Sequence, residues 1–275
     1  MHIHCRNCGG KLQGEYCHVC GEKVLKPEDK AFSRWLKDVL TNLVQFDGKF
    51  FKSLVALSSK PGVLAEDYFQ GKRKPYLKII NLFFIANLLY FVLPSFDTFK
   101  TNLEFQMNSQ VYSGYVTESV EKYLLSNDLD IEEFRILFNT KTAEVSKLIL
   151  VALAPFLGFL IFLLHRKKLY LTDGFNLALQ FWAAYILLYL IPFSLIIYSA
   201  NSWFGDVPFM RLVNSDFFLS MIALVFSAIY FWHMLKWLSD KITLRIIKIF
   251  LLLLSFVPII IVYRALLFYI TMWTV

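Results

Sequence analysis

Charged residues are scarce in this chain. They make up 18% of its 275 residues, while hydrophobic residues make up 57%. A soluble domain of this length usually carries about 25% charged residues. Long apolar runs hold the excess of hydrophobic residues, so the composition argues against a soluble enzyme and predicts a mainly α-helical membrane protein.

Cysteine is absent after residue 20, and the opening residues lack the apolar core of a cleaved signal peptide. The first apolar segment of spanning length begins near Ile79. We therefore expect the N-terminal region to stay in the cytoplasm and the spans to remain in the mature protein. In that reducing compartment, clustered cysteines bind metal more often than they form disulfides.

Catalytic patterns are also missing from the sequence. We find no phosphate-binding loop, no nucleophile elbow and no carboxylate pair on one helix face. The acids between residues 128 and 133 form a charge run that is typical of a solvated turn and helix start. The sequence leaves enzymatic activity uncertain and leans against it.

The cysteines form two Cys-x-x-Cys pairs separated by eight residues: Cys5, Cys8, Cys17 and Cys20. Two intervening residues let both thiolates of a pair reach one ion, and two pairs complete a tetrahedral site. Gly9 and Gly21 follow the pairs, where the chain must turn back and glycine adopts positive φ without strain. This pattern predicts a zinc ribbon over residues 1–26 with a structural zinc ion on the four cysteines.

Other interpretations of this segment remain open. The alternatives are a redox dithiol pair or unbound cysteines, and His2, His4 or His18 would be substitute ligands. Gly14 offers a reversal that predicts a hairpin of residues 11–13 with 15–17. A closed four-sulfur site leaves no position for water and argues against zinc catalysis. The ribbon lacks a basic, aromatic-rich surface, so nucleic acid is an unlikely partner.

Residues 27–77 connect the ribbon to the first span. Apolar residues recur at three- and four-residue steps over 32–44, and a second apolar stretch covers 50–57. Pro61 and Gly71 suit the start and the end of a third helix. We expect these amphipathic helices on the cytoplasmic leaflet or, equally, packed on the protein's own loops. Anionic lipid headgroups would meet a basic cluster before the first span: Lys72, Arg73 and Lys74.

Five spans are predicted in a membrane domain of residues 78–275: 78–96, 147–164, 175–200, 217–238 and 246–273. Basic residues flank them at 72–74, 165–168 and 236–248, whereas residues 97–146 hold nine acids and four bases. By the positive-inside rule, the N-terminus is cytoplasmic and the C-terminus lies outside a cytoplasmic membrane. Residues 97–146 then form an outer loop, with weak helical patterning over 119–125 and 131–138.

A few polar residues fall within these predicted spans: Asn81, Asn87, Gln180, His233 and Arg264. Ionisable groups inside a bilayer are costly and often functional. Even so, Arg264 is best interpreted as reaching the outer headgroups, and His233 as a neutral histidine near the inner interface.

Residues 5–9, 16–17 and 20–22, together with 60–68 and 71–76, resemble an uncharacterised bacterial family of multi-span membrane proteins with an N-terminal zinc ribbon. The resemblance covers roughly residues 5–90 and implies a zinc-ribbon membrane protein of unknown function. Relatives in that family carry a Glu-His pair and further histidines after the second span. This chain has Asp173, Gly174, Gln180 and Trp182 there, so the resemblance does not extend to a second metal site.

These features lead to one leading functional hypothesis and two others. The leading hypothesis is a membrane-bound adaptor or assembly protein, in which the cytoplasmic ribbon and basic segment bind a protein partner or organise lipid. The alternative is a small permease with Arg264, His233 and Asn87 along its substrate path. A zinc-responsive regulator is the third, although four thiolates usually hold zinc too tightly for reversible sensing.

Overall fold

The structure is a computed structural model that describes residues 4–24, 48–59, 61–93, 99, 101–205, 207–213, 215–238 and 241–275. Within these ranges it describes only the backbone of residues 147, 211, 212, 216 and 217. The amphipathic helix predicted over 32–44 lies outside the described residues.

The described chain is mainly helical, and its apolar runs contain few residues that would stop a helix. Its α-helices are α1 (Lys49–Ser59), α2 (Val63–Gln70), α3 (Ile79–Val92), α4 (Leu103–Asn108), α5 (Ser113–Asn127), α6 (Ile131–Ile149), α7 (Leu153–His165), α8 (Leu171–Ala184), α9 (Ile191–Phe204), α10 (Pro208–Val213), α11 (Asp216–Met234), α12 (Ile242–Leu254) and α13 (Phe256–Thr274). A π-helical stretch, Tyr185–Leu190, joins α8 to α9, and 3₁₀ turns lie at Leu150–Ala152 and Lys236–Leu238.

Two of these helical runs are long and apolar enough to cross a membrane: Leu171–Phe204, with 34 residues, and Ile242–Thr274, with 33. At 1.5 Å per residue each extends about 50 Å, more than the hydrocarbon core of a bilayer requires. A third candidate is the pair Ile131–Ser146 and Leu150–His165, which passes the same test with a 52° bend between its members.

Helix lengths do not support the prediction of five spans. The spans predicted at 175–200 and 246–273 lie within the two long helices, and the one at 147–164 lies across the bend. The spans predicted at 78–96 and 217–238 correspond to shorter apolar helices, Ile79–Val92 and Phe218–Met234. Hydropathy registers apolar residues whether or not the helix continues, so it overestimated the length of these two helices.

Helices α7 and α8 pack against each other more extensively than any other pair in the described chain. Glycines allow this approach, because a Cβ added to Gly174 would lie 2.5 Å from the Gly158 carbonyl oxygen. A Cβ added to Gly158 would lie 2.9 Å from the Cα of Phe175. Helix α8 is consequently buried on most sides and forms the centre of the main hydrophobic core.

Residues 101–146, predicted as an outer loop, fold into helices α4, α5 and most of α6. The weak helical patterning is therefore confirmed and extends further than predicted. These helices enclose a second core with one residue from the last helix: Leu103, Val116, Val120, Phe134, Phe138 and Phe268. Tyr263 and Thr271 also form hydrogen bonds with this region. The Tyr263 hydroxyl donates to the Ser146 carbonyl at 2.9 Å. The C-terminal turns of α13 thus belong to the subdomain formed by residues 101–146, called here the outer subdomain after the predicted outer loop.

Much of the helical surface is apolar and exposed. The exposed side chains include Phe91, Ile196, Val225, Phe250 and Val257. In the most apolar window of the Ile242–Thr274 helix, only 22% of the residues are buried within the protein. Soluble monomers rarely expose apolar surface on this scale, and a lipid bilayer would cover it.

Candidate metal centre

The four cysteine sulfurs gather into one cluster at the N-terminus. The Sγ atoms of Cys5 and Cys20 are 3.7 Å apart, those of Cys8 and Cys17 are 3.5 Å apart, and all four lie within 4.8 Å of one another. A tetrahedral zinc ion with metal–sulfur bonds of about 2.3 Å separates its sulfurs by about 3.8 Å. The cluster can therefore hold one metal ion, and its dimensions fit zinc.

Each Cys-x-x-Cys turn is closed by the same hydrogen bonds. The first cysteine donates its N–H to the residue five positions later, from Cys5 to Gly10 and from Cys17 to Glu22, both at 2.8 Å. Its carbonyl accepts from the glycine four positions later, Gly9 or Gly21. Both glycines have positive φ, at 76° and 69°, as the sequence predicted.

The two turns repeat with a period of twelve residues, a signal that sequence reasoning missed. The sequence Cys-x-x-Cys-Gly-x-Lys occurs at 5–11 and again at 17–23. Isolated antiparallel β-bridges follow the same period: one pairs His4 with Lys11 and the other pairs Tyr16 with Lys23. The predicted hairpin between 11–13 and 15–17 is wrong, because each turn pairs the residues on its own two sides instead.

The ribbon has almost no apolar interior. Cys5 and Cys17 are buried, whereas Tyr16 and Val19 are 59% and 64% exposed. Because so little apolar surface is removed from water, the hydrophobic effect contributes little to the stability of this segment. A metal ion held by the four sulfurs would supply stability that this segment otherwise lacks. Two apolar side chains are left on the surface.

The surroundings of the cluster favour a thiolate at Cys20 and the neutral thiol at Cys8. The Asn7 side chain and the Glu22 N–H donate to Cys20 and lower its pKa to about 6. At Cys8 the Gly10 N–H lowers the pKa, but desolvation and the neighbouring thiols outweigh it and raise the pKa to about 12. Four thiolates side by side repel one another, and a divalent cation relieves that repulsion.

Both turns of the ribbon contact the end of α2 and the segment that follows it. Glu22 accepts a 2.9 Å hydrogen bond through its carboxylate from the backbone N–H of Lys74. Arg6 donates at 3.2 Å to the carbonyl of Gln70. Gly21 leaves space for the Lys74 ammonium group, which a Cβ at Gly21 would clash with.

Residues 70–76, called here the basic turn, begin where Gly71 ends α2 with φ of 95°. Asp67 fixes the turn by pairing with Lys72 at 3.4 Å and accepting from the Tyr76 hydroxyl at 2.7 Å. The Arg73 guanidinium lies over the Tyr68 ring. All three cations predicted to meet lipid headgroups, including Lys74 beside Gly21, thus also contact the protein itself.

The basic turn lies beside two other connections between helices, at residues 165–168 and 236–248. Phe69 of α2 packs on Trp237 with ring centroids 4.6 Å apart, and Lys168 donates to the Leu238 carbonyl. Gly62 lies against the backbone of His233, so no side chain would fit there. The basic segments around residues 72–74, 165–168 and 236–248 consequently lie at one end of the helices.

The polar residues predicted within the spans have separate surroundings. The amide of Asn87 donates within its own helix to Phe83, and the amide of buried Gln180 donates to the Tyr230 hydroxyl at 3.2 Å. Arg264 lies over the Phe105 ring of the outer subdomain, and Asn81 is buried in the main core. His233 lies at the opposite end, exposed beside the basic connections.

A family model matches residues 47–91. Its description is "Protein of unknown function (DUF3667)". The match covers α1, α2, the basic turn and most of α3, less than half of the chain, and stops short of the cysteines. No curated protein and no solved structure matches the chain. The match and the four-cysteine cluster together fit an uncharacterised family with a site able to hold a metal ion.

Proposed function

We propose that this protein is a membrane-bound adaptor whose cytoplasmic zinc ribbon docks a protein partner. One observation carries the proposal: a closed four-sulfur cluster, with no position left for a reacting ligand, presents Tyr16 and Val19 to solvent beside the basic end. Exposed aromatic and aliphatic side chains on a rigid knob are typical of protein-binding surfaces.

Zinc is the ion that we assign to the cluster. Thiolate ligands and tetrahedral spacing favour zinc or iron–sulfur chemistry over calcium or magnesium, which prefer oxygen ligands. When bound, the ion would be held by Cys5, Cys8, Cys17 and Cys20 and would supply folding free energy instead of catalysis.

The placement of charges supports an orientation with the N-terminus inside a cytoplasmic membrane. The three basic connections and the ribbon are at one end of the helices, and the outer subdomain, which includes eight acids between residues 104 and 144, is at the other. We place the C-terminus outside, because Phe268 and Thr271 of α13 pack within the outer subdomain.

We further propose that the shorter helices complete five passes. Both long helices begin at the basic end, so the chain must return between them, and α11 is the segment available for that return. Its 19 residues extend about 28 Å, close to the thickness of the hydrocarbon core. Helices α3 and α7 make the other two passes, beside the buried helix α8.

Arg264 then marks the outer boundary of the last span, which we shorten from the predicted 246–273 to about 246–263. Arg264 is nineteen positions after Arg245, which corresponds to about 28 Å of helix. The residues beyond Arg264 contribute to the second core. The cations at both ends can reach headgroups while the segment between them stays in lipid.

Separation of the candidate polar residues favours the adaptor over a permease. A substrate path needs polar groups that line one passage, as pore-lining residues do. Arg264 contacts the outer subdomain, His233 lies at the basic end, and Asn87 bonds within its own helix.

The docking role is tested by crosslinking and affinity capture of the full-length protein from membranes. We expect a specific protein to copurify with the wild type and to be lost from Cys5→Ser/Cys8→Ser, which cannot close the metal site. It should also be lost from Tyr16→Ser/Val19→Ser, which keeps all four ligands.

Val111→Ser provides the matched control. Val111 is as exposed as the ribbon residues but lies in the outer subdomain, so its variant should retain the partner. Zinc content of each purified variant separates loss of the metal from loss of the docking surface. Identical capture lists for the wild type and both ribbon variants would remove the docking role.

A further inference from the structure

We infer that the ribbon binds the basic turn of its own chain through Glu22, and that metal loading controls this contact. Nothing in the family match or in the predicted adaptor role assigns this partner to the ribbon. The inference rests on the proposed loading of the cluster with zinc. It concerns the surface of the ribbon next to that cluster, for which the binding partner is the basic turn of the same chain.

The contact joins segments that are far apart in sequence. Lys74 is 52 residues from the Glu22 carboxylate that accepts its N–H, and Gln70 is 64 residues from the Arg6 side chain that donates to its carbonyl. Both bonds use main-chain groups of the basic turn. They therefore recognise the shape of the turn, which the positive φ of Gly71 and the hydrogen bond from Lys72 to Asp67 maintain.

Glu22 connects this contact directly to the metal ligands. Its N–H donates toward Cys20, and its carbonyl accepts from Cys17 at 2.8 Å. Its carboxylate holds Lys74. The backbone of one residue is thus fixed by two metal ligands while its side chain binds the turn.

Loss of the metal should release the turn. Without the ion the four thiols have no common centre, and the ribbon has too little buried apolar surface to keep its two turns closed. Glu22 would then lose the backbone position from which its carboxylate reaches Lys74. The basic cluster would lose a contact that holds it against the ribbon and become more available to anionic headgroups.

Hydrogen exchange of the full-length protein in detergent micelles tests the inference. The measured peptide is one that spans residues 70–78 and contains the Lys74 amide. We expect a zinc chelator to speed exchange of that amide at least about tenfold, which is the effect of losing a hydrogen bond to a charged acceptor. Zinc added back should restore the slow rate.

Variants separate the contact from the folding of the ribbon. Glu22→Ala removes the acceptor but no metal ligand, so it should keep stoichiometric zinc and slow exchange at residues 4–20 while the Lys74 amide exchanges fast. Arg6→Ala removes the second bond and should give a smaller increase in the same peptide. Glu15→Ala is the control, because the bond from Val24 to the Glu15 carbonyl survives the substitution.

The outcomes distinguish this inference from the proposed function. If the wild type holds zinc and the Lys74 amide exchanges at one rate with and without the chelator, the inference is overturned while the zinc ribbon stands. An unchanged Lys74 rate in a zinc-loaded Glu22→Ala variant overturns it as well. A wild type that binds no zinc would contradict the proposed function first, and the inference with it.

Discussion

The ribbon and the helical part of this protein are stabilised in opposite ways. The ribbon encloses four sulfurs and leaves its large apolar side chains on the surface, whereas the helices enclose two apolar cores and leave further apolar surface uncovered. In the proposed function each part is completed from outside the chain, by a metal ion in the ribbon and by a bilayer around the helices. Removing either component should affect one part and spare most of the other.

Metal removal is expected to have the largest effect and to unfold the ribbon while the helices stay folded. Zinc contributes roughly 10–16 kcal/mol to folding in small zinc-binding peptides, more than the ribbon has from any other source. A chelator should bring amide exchange over residues 4–24 to unfolded rates. Far-UV circular dichroism should barely change, because those residues contain no helix among them. Protection that persists over 4–24 in the chelated protein would contradict a metal-dependent ribbon.

The second largest effect should follow from Phe268→Ala. Phe268 is buried between α13 and the outer subdomain, and its ring lies 5.9 Å from that of Phe138. Truncating a buried phenylalanine costs about 3–5 kcal/mol. We expect faster exchange throughout residues 103–146 and an unchanged zinc content.

Trp273→Ala is the matched control for that variant. Trp273 is on the same helix and is 87% exposed, so its loss should leave exchange over residues 103–146 unchanged. Equal effects of the two substitutions would show that Phe268 does not join the last helix to the outer subdomain.

A smaller effect is expected from Gly174→Val at the contact between α7 and α8. The added side chain would meet the Gly158 carbonyl and the Phe162 side chain. Overpacking of this kind costs about 1–3 kcal/mol, so the midpoint of thermal unfolding in detergent should fall. Gly114→Ala, in α5 with open space around it, should leave that midpoint unchanged or raise it slightly. Release of zinc by Gly174→Val would contradict the independent stabilisation of the ribbon and the helices.

Ser53→Ala should give the smallest measurable effect. The Ser53 hydroxyl accepts from the buried N–H of Leu77 at 2.8 Å and holds α1 to the end of the basic turn. A buried donor left without its acceptor costs about 1–3 kcal/mol. Exchange of the Leu77 amide should increase, whereas Ser58→Ala, on an exposed part of the same helix, should not change it.

The sequence predicted the local features of the four-cysteine cluster well. Cysteine spacing and the glycines after each pair are short-range constraints, and both appear in the structure at Gly9 and Gly21. The hairpin was wrong because Gly14 was interpreted as a turn, whereas each pair of cysteines closes on itself. The twelve-residue repeat was visible in the sequence and would have indicated this.

Longer-range features were beyond what the sequence could predict. Hydropathy identified the segments at 175–200 and 246–273, but it does not distinguish lipid from a protein core. Phe268 therefore counted as part of a span although it packs among the helices of the outer subdomain. The bond from Lys74 to Glu22 depends on how two distant turns meet, and no local pattern encodes that meeting.

The twelve-residue repeat of the ribbon has a consequence for orientation. Its two turns share one main-chain path, so a half rotation that exchanges them would offer the basic turn almost the same backbone. The exchange would, however, bring Gly10 to the place of Glu22, and glycine has no carboxylate to offer Lys74. The exchange would also bring His18 to the place of Arg6, which donates to Gln70. Two side chains, Glu22 and Arg6, thus break the symmetry of the ribbon and select one of its two orientations on the basic turn.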